Sequence, residues 1–157
     1  MFFLYKWMLQ VFGWVTWGRD EAEPIRLAIS GFKSLFQNVG VNVAAFVLII
    51  LTLMLACYYY FGWTKHSSSR VSFRYRRKWW LLWLIATSIV IALATYGIMY
   101  GFMSFSMSNL SMVSGQSKMY LAVSFCNFIY ALVLFFGLSI LFSKAFSKYT
   151  NASCTPF

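Results

Sequence analysis

Between Thr64 and Lys78 the chain carries six cations, Lys65, Arg70, Arg74, Arg76, Arg77 and Lys78, and on each side lies a run of more than twenty residues without a formal charge. Two apolar runs of that length joined by a basic connection read as transmembrane helices around a cytoplasmic loop. The same cations orient the chain, because Lys and Arg accumulate on the cytoplasmic side of a membrane.

Composition agrees with that reading. Hydrophobic residues make up 61% of the chain, aromatics 22% and charged residues 10%, far from the soluble globular range. The expected class is an all-α integral membrane helical bundle. At 157 residues the chain is too short for a transporter made of two repeats of five or six helices, and no internal repeat is visible. A net charge of +10 in a soluble protein would point to nucleic acid. Here six of the 13 Lys and Arg lie in one juxtamembrane stretch, so anionic lipid headgroups are the expected partner and nucleic acid is not.

Three spans are expected, at 41–63, 79–103 and 119–142, each long enough to cross a hydrocarbon core of roughly 30 Å at about 1.5 Å per residue. They divide the chain into an N-terminal region (1–40), a bundle (41–143) with the basic loop 64–78, and a short tail (144–157). Tyr58, Tyr59, Tyr60 and Trp63 close the first span, and Trp79, Trp80 and Trp83 open the second. Amphipathic rings settle at lipid headgroups, so both clusters are expected at one membrane face. The second connection, 104–118, is rich in serine and carries one Lys, while the tail adds Lys144 and Lys148. The positive-inside bias therefore puts loop 64–78 and the C-terminus in the cytoplasm. Unpaired cysteines and the lack of a recognisable targeting segment fit a bacterial inner membrane.

The first seventeen residues, MFFLYKWMLQVFGWVTW, are apolar and aromatic but hold Lys6 and Gln10. They read either as a short fourth span or as a helix in the interface. Residues 18–40 read as an amphipathic helix, with Asp20, Glu21 and Glu23 at its start, Pro24 suited to the first turn and Gly40 suited to the far end. Ile25, Leu27, Ala28, Ile29, Phe32, Leu35 and Phe36 are spaced to form one apolar face. Such a helix suits the membrane surface or a docking partner.

Groups for catalysis are sparse. The carboxylates are Asp20, Glu21 and Glu23, the histidine is His66, and Cys57, Cys126 and Cys154 stand far apart. Acid–base work, a metal centre or an activated nucleophile needs such groups in combination, so neither an enzyme nor a cofactor or metal site is expected. The three spans hold no ionisable Asp, Glu, His, Lys or Arg, the residues that bind and release ions in coupled transport. Their polarity comes from Asn42, Thr52, Thr87, Ser88, Thr95, Ser124, Asn127 and Ser139, which suit interhelix hydrogen bonds or a pore lining. Ser124 and Asn127 stand out for either role.

On the second span Thr87, Val90, Ala94, Gly97 and Gly101 recur at helical spacing, and Gly97 with Gly101 forms a GxxxG. Small residues let two helices approach closely, within one chain or between subunits. Two functional classes fit these features. One is a non-enzymatic multi-pass subunit of a homo-oligomeric assembly or of a complex with other membrane proteins. The other is a small homo-oligomeric channel or pore-forming protein lined by Ser, Thr and Asn. Three spans with the C-terminus inside also resemble, in topology alone, one class of phage holins, which implies pore formation.

Overall fold

The computed structural model describes Tyr5 and residues 23–63, 73–107 and 116–145. Pro24 lacks an N–H, which costs nothing in a first turn where that group has no intrahelical acceptor, and α1 (Glu23–Leu35) begins one residue before it. A π-helical segment follows at Phe36–Gly40, then α2 (Val41–Cys57) and a second π-helical segment at Tyr58–Trp63. α3 runs Phe73–Ser106 and α4 runs Gln116–Ala145. Among the described residues the regular structure is entirely helical. Three helices are long and apolar enough to cross a membrane, at Ile29–Phe61, Lys78–Ser106 and Gln116–Phe142.

Two features differ from the sequence expectation. The helix does not end at Gly40: Val41 is right-handed helical at φ −64° and ψ −36°, and its N–H bonds back to the Phe36 carbonyl. Glycine is used there for proximity rather than for a left-handed terminus. A Cβ on Gly40 would stand 3.0 Å from the Met99 terminal methyl. The wide turn is also supported by Asn42, whose side-chain amide donates to the Asn38 carbonyl at 2.8 Å. The second difference is in the basic stretch, which is helical from Phe73 onward, so Arg74, Arg76, Arg77 and Lys78 belong to α3. Arg and Lys are good helix formers, and no breaker separates them from the Trp79 run.

The buried seams of the helices repeat every four residues. From α1 through α2 the seam is Phe32, Phe36, Gly40, Ala44, Leu48, Thr52, Ala56 and Tyr60. On α3 it is Thr87, Ile91, Thr95, Met99 and Met103, and on α4 it is Met119, Val123, Asn127, Ala131, Phe135 and Ser139. A four-residue step overshoots the 3.6-residue turn, so such a seam drifts round a regular α-helix by about 40° per step. A π-turn holds more residues than an α-turn, and the two π segments slow that drift at both ends of the first long helix.

The chain divides into two compact units that cut across the helices. The first takes Met1–Val47 and Ala92–Asn127. Its core stacks Phe32 on Phe36 at 5.7 Å between ring centroids and sets Phe32 against Tyr120 at 6.2 Å. Ile29, Phe32 and Phe36 form the buried face expected of the amphipathic helix, but Leu27 is 71% exposed.

The second unit takes Leu48–Ile91 and Phe128–Phe157. Ala56, Tyr59, Tyr60, Trp80 and Phe135 make its largest buried cluster. Trp80 donates its indole N–H to Ser139 Oγ at 3.1 Å, and Ser139 donates to the Phe135 carbonyl at 2.7 Å. Tyr59, Tyr60 and Trp80, expected to set their rings among lipid headgroups, are buried in this core, while Tyr58 is 58% exposed. Burial of these rings removes a large apolar area from the surroundings, and the Trp80 indole N–H keeps a partner inside at Ser139. A smaller cluster of Leu48, Ile91 and Ala131 takes one residue from each of three seams.

Candidate functional site

Asn127 holds the densest polar arrangement among the described residues. α4 places it on the buried seam between Val123 and Ala131, with no exposed surface. Its Oδ1 accepts a hydrogen bond from the Tyr5 hydroxyl. Its Nδ2 donates to the Ala44 carbonyl at 2.9 Å and to Thr95 Oγ1 at 2.9 Å. Ala44, Thr95 and Asn127 are seam residues of α2, α3 and α4, so one amide ties three helices and the N-terminal Tyr5 within the first unit. Both amide protons and the carbonyl are engaged. In an apolar surrounding, interhelix bonds of this kind are each worth about 0.6 to 2 kcal/mol.

Ser124, the other candidate for a pore lining or an interhelix bond, is buried and donates to the Tyr120 carbonyl one turn back at 2.8 Å. Thr52 and Ser88 do the same to Leu48 and Leu84. This back-bonding satisfies a hydroxyl within its own helix without a cross-helix partner. Thr87 differs: its Oγ1 is buried with no hydrogen-bond partner. The seven residues Thr52, Thr87, Ser88, Thr95, Ser124, Asn127 and Ser139 are all turned into the protein. The outward faces carry Phe46, Ile50 and Met54 on α2, Leu82, Ile85 and Leu93 on α3, and Val133, Leu134 and Leu141 on α4.

Gly97 and Gly101 face outward. A Cβ at either would meet no atom within 4 Å, so among the described residues no neighbouring helix packs on either glycine. Ala94 is half-buried beside them. The close approach that small residues permit is made instead at Gly40, with Ala44 four residues on. The sequence shows this Gly-xxx-Ala pair plainly, but Gly40 also matches a helix terminator, which hid its role.

Lys78 is exposed on α3, and Arg74, Arg76 and Arg77 precede it on the same helix. Lys65, Arg70 and, apart from Tyr5, the N-terminal segment 1–22 lie outside the described residues, as do residues 146–157. Cys57 is half-buried and Cys126 buried, and neither forms a disulfide among the described residues. Thr95 was named from sequence among the residues suited to interhelix hydrogen bonds, whereas Tyr5 and Met99 were not singled out. Nothing local marks Tyr5 as the partner of a residue 122 positions away.

Among the described residues these features define an all-helical protein with three helices of membrane-spanning length, whose buried seams mix small, polar and large apolar side chains. No protein family, no curated protein and no solved structure matches it.

Proposed function

We propose that this chain is a non-enzymatic multi-pass membrane subunit whose outward helix faces pack against further copies or other membrane proteins. The observation that carries the reading is the pair Gly97 and Gly101, open to the outside on an apolar helix. Glycine in a helix interior costs about 1 kcal/mol relative to alanine, a cost that close approach of a second helix would offset.

Membrane insertion is supported by length and composition: Ile29–Phe61, Lys78–Ser106 and Gln116–Phe142 each exceed the roughly 20 apolar helical residues that cross a hydrocarbon core of about 30 Å. The outward face of the first helix is polar at Ser30, Ser34, Asn38 and Asn42 and turns apolar from Phe46. That change is consistent with hydrocarbon beginning just beyond Asn42. The cations of 64–78 favour the cytoplasmic side for that stretch and for the C-terminus, with anionic headgroups as partners, and a bacterial inner membrane remains the proposed compartment.

The channel reading needs polar side chains on the faces that copies would present to a lumen. Of the eight Ser, Thr and Asn in the three spans, seven are buried and Asn42 is exposed at the start of the first, which favours the subunit over the pore. The deciding experiment measures the mass of the protein extracted gently from its native membrane together with ion conductance of the pure chain in planar bilayers. Co-purifying chains or a defined oligomer without conductance supports the subunit. Stepwise conductance from a pure homo-oligomer replaces it with the channel.

A further inference from the structure

Resting on the membrane reading above, we infer that one face of α3 is a binding site for a single anionic phospholipid. Lys78 is exposed at the start of this face, and Arg74 occupies the position one turn earlier in helical register. Directly beyond Lys78 on that face stand Leu82, Ile85 and Ile89, which are 56%, 50% and 47% exposed. The row from Lys78 to Ile89 advances about 16 Å, close to the roughly 15 Å depth of one leaflet's hydrocarbon. A cationic head followed by an apolar strip of leaflet length matches an amphiphile with a phosphate at one end and an acyl chain at the other.

The opposite side of α3 is occupied otherwise. Trp80 turns inward to Ser139, and Trp83 packs on Tyr58 and Tyr59 at 5.9 Å and 5.6 Å between ring centroids. Arg76 falls in register with that side. The lipid face is therefore distinct from the general positive charge of the 64–78 stretch, and Arg76 serves as its internal control.

The test is native mass spectrometry of the full chain in detergent, titrated with phosphatidylglycerol and with phosphatidylcholine of the same acyl chains. One phosphatidylglycerol should bind in preference to phosphatidylcholine. The double variant Arg74→Gln/Lys78→Gln should lose at least about fivefold in that preference, since a cation near anionic lipid contributes on the order of 1 kcal/mol. Arg76→Gln should change it by less than about twofold. Glycerol 3-phosphate, which has the anionic head without the chains, should not displace the lipid. Equal loss in Arg76→Gln, an unchanged double variant, or displacement by glycerol 3-phosphate overturns the site. The same spectra report oligomer mass, so failure of the lipid site is read separately from failure of the subunit assignment.

Discussion

The Tyr5 hydroxyl donates to the side-chain carbonyl of Asn127, joining the N-terminal segment to the middle of α4. The same amide spends its two protons on α2 and α3, so its loss would remove three hydrogen bonds from the buried interior. Asn127→Leu is expected to lower stability by about 2 kcal/mol, and Tyr5→Phe by about 1 kcal/mol. Unfolding in mixed micelles by denaturing detergent measures both. A double variant that costs no more than Asn127→Leu alone would show that the two residues act through one bond; full additivity would contradict the pairing.

Two glycines separate the packing inside the chain from packing between chains. Gly40→Leu must displace Met99, and the overpacking should cost about 1 to 3 kcal/mol. Gly97→Ile meets open space and should leave the monomer as stable as before while breaking the proposed assembly. Thermal unfolding in detergent reads the first effect, and oligomer mass the second. An unchanged oligomer in Gly97→Ile removes Gly97 from the subunit contact.

Thr87 offers a stabilising change. Its buried hydroxyl lacks a partner, and valine keeps the shape while removing the polar atom. Thr87→Val should raise stability by about 1 kcal/mol, whereas Ser88→Ala, which deletes a bonded hydroxyl at the next position, should not. A fall in the unfolding midpoint of Thr87→Val would mean that the hydroxyl is satisfied in the membrane.

Charge controls threading in the proposed topology. Exchanging Arg74, Arg76, Arg77 and Lys78 for Gln should send a measurable fraction of chains across the membrane in the reverse sense. Reporter tags at the C-terminus, one active on each side, count the two populations. A single unchanged orientation would assign the control to another part of the chain.

Much of this architecture was legible from the residues. Charge-free runs mark all three long helices, since a helix that buries one face and covers the other with apolar side chains leaves no place for an ion. The inward face of α4 was also readable, since Ser124, Asn127 and Ala131 share a side. The close packing was less so. Leu, Ile and Phe cover the outward faces as densely as the buried ones, so hydrophobic periodicity carries little signal, and the four-residue rhythm is written in small and polar residues such as Gly40, Ala44, Thr52, Thr95 and Asn127. Gly97 and Gly101 fit the familiar motif better than Gly40 and Ala44 do, yet the second pair is the one buried. Whether a small residue meets its own chain depends on which face of the helix is covered, and that is decided by the other helices.

The four-residue seams also set the steps by which such a protein can change length. Removing one residue from α2 would rotate everything beyond it by about 100° and turn Phe46 or Ile50 toward positions now held by small side chains. Removing four from the same helix would swing the remainder by only about 40°, an offset a π-turn can absorb, while shortening the helix by about 6 Å. A lineage of such proteins would therefore be expected to change its helix lengths in steps near whole turns, four or seven residues at a time rather than one or two.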